Sequence, residues 1–210
     1  MRLGLTGSFG SGKTTISNFF KDRGAIIIDA DAIAHEIMQP GTDAFQAVIK
    51  TFGTQYLKSD GTLDRRKLGA YVFKHPEALE RLEKIIHPLV RKREMELLEA
   101  YKDKPFVVLS VPLLYEKGLE KYVDKVAIVT ISNASRYERL TKNYRLSREE
   151  IDERLKNQIP QEEKVQRSDF IIDNNGSLEQ SRKQVDRLLE KLVHLNERIE
   201  GKDHAKKKDD

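Results

Sequence analysis

This sequence predicts an α/β fold, a parallel β-sheet core flanked by helices, and three observations predict it. An apolar N-terminal strand leads through a glycine-rich turn into an amphipathic helix. The next strand is apolar on consecutive positions, as a parallel strand buried on both faces must be. Further strand signals then alternate with charged helical stretches, the order in which parallel sheets are wound.

Taken in order, Arg2 to Thr6 is the first strand, and Thr14 to Arg23 reads as a helix with Ile16, Phe19 and Phe20 on one face. Gly24 stands where a helix C-cap belongs, and Ala25 to Ile28 is the second strand, which completes a βαβ unit. Phe106 to Leu109 and Val126 to Ile131 repeat the strand signal, and Phe170 to Ile172 adds another before Asp173-Asn174-Asn175-Gly176. The stretch from about 36 to 103 is far longer than one crossover helix needs and looks helical from Phe45 through Tyr101 apart from turns, so it is expected to be an inserted helical subdomain. A second excursion, about 136–167, is highly charged, and its basic residues recur at Arg136, Arg139, Lys142, Arg145 and Arg148, a spacing that places several on one helical face. The last helix is expected from about Leu178 to Arg198, and the lysine- and aspartate-rich tail 201–210 is expected to be disordered. Residues 1–200 are thus read as a single domain whose core is about 1–35, 104–135 and 168–200.

A chain of 210 residues can bury one substantial core. No apolar run reaches the roughly 20 residues of a membrane span, and the N-terminus enters a strand at once, which leaves no room for a signal peptide. A cytoplasmic protein without a membrane partner is expected. The absence of cysteine fits a reducing compartment and excludes disulfides, thiol nucleophiles and cysteine-based zinc sites. The net charge is only +4, with both signs interspersed, which argues against nucleic acid as a partner. A modest basic excess still suits phosphate-bearing ligands.

Gly7-Ser8-Phe9-Gly10-Ser11-Gly12-Lys13-Thr14 matches the G-x-x-x-x-G-K-[ST] phosphate-binding loop in full, between a predicted strand and a predicted helix. Its glycines let the backbone curl so that successive N–H groups face a phosphate, and the helix N-terminus adds its dipole. Lys13 is then placed to neutralise the β- and γ-phosphates, and the Thr14 hydroxyl to ligate Mg²⁺. ATP with Mg²⁺ is the expected cofactor pair. A GTPase would read guanine with Asn/Thr-Lys-x-Asp, and Thr141-Lys142-Asn143-Tyr144 lacks the aspartate. A motor ATPase would carry acidic residues directly after a strand, whereas Phe106 to Leu109 leads into Ser110-Val111-Pro112. The residues alone point to a P-loop NTPase-class kinase for a nucleoside, nucleotide or other small hydroxyl acceptor, with a nucleotide-dependent switch as the rival reading.

Gly4-Leu5-Thr6-Gly7, the loop itself and Ile28-Asp29-Ala30-Asp31-Ala32-Ile33 together resemble the start of the dephospho-CoA kinases. The likeness continues in order through Pro40-Gly41, Phe52-Gly53, Asp60-Gly61-Thr62-Leu63-Asp64-Arg65, Val72-Phe73, Leu82-Glu83, His87-Pro88, Val111-Pro112-Leu113-Leu114-Tyr115-Glu116, Gln158 and Ile172-Asp173-Asn174-Asn175-Gly176, from Arg2 to about Leu192. The resemblance implies a nucleotide core, a helical CoA-binding subdomain (about 36–103) and a helical lid (about 136–167). It implies ATP and dephospho-CoA as substrates, with Gly7, Ser8, Phe9, Gly10, Ser11, Gly12, Lys13, Thr14, Thr15, Arg139 and Asn175 on the nucleotide.

For the acceptor it implies Asp31 as the base at the attacking hydroxyl, with Asp29 supporting it or the metal. In a strand the two carboxylates would share a face; the plainer reading is that both cap the following helix. Arg65 is implied to approach the acceptor's phosphate or ribose, although Asp64-Arg65 also reads as a turn-to-helix cap. His87 is either a packed helix-end histidine or a contact to CoA, and Leu113 and Glu116 either wall the acceptor or pack. Two positions depart from the family pattern: Ser110 stands where an acidic residue is frequent, leaving Thr14 and Asp31 for the metal, and Asn143 replaces the usual lid arginine.

Overall fold

The protein's structure, a computed structural model, describes residues 1–72 and 74–206. In chain order its strands and helices are β1 (Arg2–Thr6), α1 (Lys13–Asp22), β2 (Ile26–Asp29), α2 (Ala30–Glu36), α3 (Asp43–Phe52), α4 (Arg65–Val72), α5 (Pro76–Ala100), β3 (Val107–Ser110), β4 (Lys125–Thr130), α6 (Asn133–Tyr144), α7 (Arg148–Lys156), α8 (Gln161–Arg167), β5 (Phe170–Asp173) and α9 (Leu178–Lys206). They fall into two compact units, Met1–Ile27 with Tyr101–Asp210, and Ile28–Ala100.

The first unit is built on a five-stranded sheet of order β2-β3-β1-β4-β5. β1 is central and pairs in parallel with β3 and β4, and β4 in parallel with β5. Alternation along β1 sends Leu3 and Leu5 to one face, where they join Ile16, Phe19 and Phe20 of α1 and Val185, Leu188 and Leu192 of α9 in one buried cluster. Phe20 is fully buried, and a side chain of that size contributes about 1.5–3 kcal/mol by leaving water. On the other face a Cβ at Gly4 would press on Leu114 and Val123, so the chain after β3 packs directly on the β1 backbone. That packing holds the phosphate loop at the carboxyl end of the central strand, where ligands of open α/β sheets gather.

The second unit is helical. α5 is its long member, and α2, α3 and α4 pack on it. Thr42 caps α3 by accepting from the Phe45 N–H, and the Asp64 carboxylate accepts from the Lys67 N–H at 2.9 Å in the first turn of α4. Pro88 lies inside α5, so His87 is exposed in mid-helix and not at a helix end as one sequence reading had it.

Three other expectations need correction. The second strand ends at Asp29, because its carboxylate accepts from the N–H groups of Asp31 and Ala32 and so starts α2; Asp29 and Asp31 therefore do not share a strand face. Of the five basic residues from Arg136 to Arg148, Arg136, Arg139 and Lys142 lie in α6 as the spacing leads one to expect, but the series does not continue, because Arg145 adopts a left-handed φ of 57° that ends α6, and Ser147 caps a new helix. The final helix passes the predicted stop and runs to Lys206. The rest of the expected disordered tail, 207–210, lies outside the described residues, as does Phe73.

Candidate active site

The phosphate loop joins β1 to α1 and turns on two constrained glycines. A Cβ at Gly7 would stand 2.9 Å from the Val129 carbonyl oxygen, so β4 runs too close for a side chain. Gly12 has φ 88° and ψ 21°, left-handed backbone that a side chain disfavours. A turn bond from the Ser11 N–H to the Ser8 carbonyl (3.0 Å) closes the loop, and Gly12 then accepts from the Ile16 N–H (3.2 Å) to start α1.

Lys13 is 7% exposed, and its Nζ donates to Ser110 Oγ at 2.7 Å. Ser110 lies within 3.0 Å of the Ser17 hydroxyl. The residue that stands for the expected acid at the end of β3 is thus a neutral hydroxyl that positions the loop lysine. Thr14 is exposed on the first turn of α1, and Thr15 beside it is half-buried. Among the described residues no group of three His, Cys, Asp or Glu side chains is arranged to hold a metal. Mg²⁺ takes most of its ligands from phosphate oxygens and water and only one or two from protein, and the exposed Thr14 hydroxyl is an oxygen donor of that kind.

Segments distant in sequence close around the loop within the same unit. The Phe9 N–H donates to Gln158 Oε1 at 2.9 Å, and the Arg154 guanidinium lies 4.8 Å from the centre of the Phe9 ring. Arg136, 4% exposed, donates to Asn133 and Gln161, and burial holds its guanidinium below the usual arginine range. Two predicted nucleotide residues come together, since Arg139 Nη2 donates to the Asn175 carbonyl at 3.4 Å. Asn175 Oδ1 accepts from the Ser132 N–H (2.8 Å), which ties the end of β5 to the start of α6.

Leu113 is half-buried in the turn after β3. Glu116, expected either on the acceptor or packed, accepts through Oε1 from Lys164 Nζ at 2.7 Å and from the Ile159 N–H at 2.9 Å. Lys164, fully buried, also donates to the Pro112 carbonyl at 3.0 Å. Through Oε1 the carboxylate anchors α8 to the chain after β3, while Oε2 is buried without a hydrogen-bond partner.

In the helical unit, Asp31 lies on the exposed first turn of α2. His35 follows one turn later on the same face, and its Nδ1 is 2.6 Å from Arg65 Nη1. Because a guanidinium N–H can only donate, His35 accepts, and it fixes the direction of the arginine. Asp31 and Arg65, both singled out in the sequence, are thereby brought to one face of this unit through a histidine that sequence reasoning missed. The i, i+4 spacing of Asp31 and His35 was the signal that could have found it. His87 lies on α5.

Residues 1–180 match the family profile described as dephospho-CoA kinase. A dephospho-CoA kinase of Symbiobacterium thermophilum is 44% identical over 88% of this chain and 78% of its own length. Among solved structures, a Thermus thermophilus protein superposes with a TM-score of 0.74 at 34% identity, covering 91% of this chain and 97% of that one. A dephospho-CoA kinase from Campylobacter jejuni does so with a TM-score of 0.65 at 28% identity, covering 91% and 96%.

Proposed function

The chain belongs to the dephospho-CoA kinase family, and on that premise we propose that it transfers the γ-phosphoryl group of Mg·ATP to the 3′-hydroxyl of dephospho-CoA's ribose, giving CoA and ADP. One observation carries the choice of acceptor. The family match extends across the whole helical unit Ile28–Ala100, not only across the phosphate loop that every kinase of this class possesses.

In this reading the acceptor oxygen bonds to the γ-phosphorus, the bond from that phosphorus to the β–γ bridging oxygen breaks, and the hydroxyl proton passes to Asp31. The Asp31 carboxylate is open to an acceptor hydroxyl, because it is solvent-exposed on the first turn of α2. Lys13, held in one direction by Ser110, neutralises charge on the β- and γ-phosphates. Arg65, oriented by His35, presents a planar fork to a phosphate of the acceptor. Arg139 and Asn175 hold the nucleotide, His87 and Leu113 contact the acceptor, and Glu116 anchors α8 through Oε1. Thr14 and Asp31 would hold Mg²⁺, which when bound offsets phosphate charge. No helix among the described residues is long and apolar enough to cross a membrane; a cytoplasmic site of action belongs to this proposal with its substrates.

The test is ADP release coupled to an optical readout across dephospho-CoA, adenosine, AMP, shikimate and gluconate. Dephospho-CoA should be turned over far faster than the rest. Preference for another acceptor would overturn the assignment and leave only a P-loop kinase.

A further inference from the structure

Asn174 is 4% exposed at the carboxyl end of β5, and the mechanism above leaves it unused. We propose that Asn174 is a positioning residue for the nucleotide, holding the Ser11 carbonyl inward so that the Gly12 N–H of the phosphate loop is turned outward to a phosphate. The proposal rests on the kinase reading of that loop.

Every hydrogen bond around Asn174 points the same way. Its Nδ2 donates to the Ser11 carbonyl at 2.8 Å, its Oδ1 accepts from Ser181 Oγ at 2.9 Å, and its backbone N–H donates to the Thr130 carbonyl at 2.9 Å. A carbonyl can only accept, so the nitrogen side of the amide must face Ser11, and the fully buried Ser181 hydroxyl locks that orientation. The peptide joining Ser11 to Gly12 is planar, with its C=O and N–H directed oppositely. Drawing the carbonyl toward the interior therefore aims the N–H of the same peptide away from it.

Gly12 is also where α1 begins, so this N–H is among the first-turn donors that a helix cannot satisfy itself, and the helix dipole reinforces its attraction for an anion. A side chain at Gly12 would collide with the Asn174 amide nitrogen, so the glycine and the asparagine are fitted to each other. Without the asparagine donor, a buried carbonyl would be left unpaired, and the peptide would rotate toward another partner.

The experiment measures binding of adenosine, AMP and ADP to the full-length protein by ligand-observed NMR, for wild type, Asn174→Ala, Asn174→Asp and Ser181→Ala, together with KM for ATP and kcat. Asn174→Asp keeps the shape but sets oxygen against oxygen at Ser11. ADP affinity should fall about tenfold in Asn174→Ala and further in Asn174→Asp, while adenosine affinity stays within twofold, because only phosphates read the aimed N–H. KM for ATP should rise more than kcat falls. Ser181→Ala, which loosens only the amide's orientation, should shift ADP in the same direction by a few-fold, and it serves if the asparagine variants do not fold. Equal weakening of adenosine and ADP, or unchanged ADP affinity in the folded variants, would overturn the proposal. Wild type that binds no ADP would overturn the kinase reading and this proposal with it.

Discussion

Glu116→Ala is predicted to destabilise the protein instead of weakening its hold on dephospho-CoA. Lys164 has no exposed side-chain surface, and its ammonium meets Glu116 Oε1 at 2.7 Å and the Pro112 carbonyl at 3.0 Å. Removing the carboxylate leaves a buried charge with only a carbonyl beside it, a loss on the order of 3–5 kcal/mol. The Ile159 N–H also loses its acceptor. For a domain of this size about 1 kcal/mol corresponds to roughly 2–4 °C of melting temperature, so Glu116→Ala should melt about 6–20 °C lower. The paired replacement Glu116→Leu with Lys164→Met removes both charges and should recover most of the loss, because a buried ion pair exchanged for apolar volume is often close to neutral. Thermal melts of the wild type, Glu116→Leu, Lys164→Met and the double variant give the coupling directly. The KM for dephospho-CoA, measured well below each melting temperature, should move by less than about twofold. A Glu116→Ala protein that melts within about 3 °C of wild type while its KM for dephospho-CoA rises tenfold would refute this reasoning and return Glu116 to the substrate.

Lys13→Ala should lower kcat at saturating ATP by orders of magnitude, since charge stabilisation at the phosphoryl group is its main task; near wild-type turnover would rule that task out. Asp31→Asn should cost about 10²- to 10⁴-fold in turnover with ATP binding little changed, and a metal titration of the variant that restored full rate would rule out the base role and leave Asp31 only its place on Mg²⁺. Burial alone would raise the pKa of Asp169, but the Lys125 ammonium and the Val126 N–H outweigh it and hold the carboxyl below its ordinary value. A depressed carboxylate stabilises the fold above its unfolded pKa and loses that contribution as pH falls through the folded value, so the melting gap between wild type and Asp169→Asn should be present at pH 7 and close below about pH 4; a gap unchanged down to pH 2.5 would contradict it. Only Ile151 of α7 is buried, so backbone amides of Arg148–Lys156 should exchange early in the free protein and be slowed by ATP with acceptor, whereas identical exchange with and without ligands would mark α7 as an inert surface helix.

How far the sequence discloses the site depends on where each residue finds its partner. The sheet was legible because every strand carries its own apolar run, and the phosphate loop because its residues lie within one turn between a strand and a helix. Asp29 was half legible: an aspartate before a helix caps it, yet whether the chain turns helical at Ala30 or continues as strand is decided by those capping bonds, and the choice moves Asp31 off the strand face. The lid region misled because a three-residue spacing of basic side chains implies one helix only if the backbone stays helical, and Arg145 leaves that conformation. Lys13 and Ser110 are 97 residues apart, and Asn174 and Ser11 are 163 apart, so neither contact has a local signature. Even so, Asn174 had a trace in the chain. Ile172 is buried, Asp173 exposed and Asn174 buried again, so the period of the strand carries a polar side chain inward one step past its end. A buried amide at the carboxyl edge of a parallel sheet needs partners for its donor and acceptor, and the backbone that passes there is the phosphate loop.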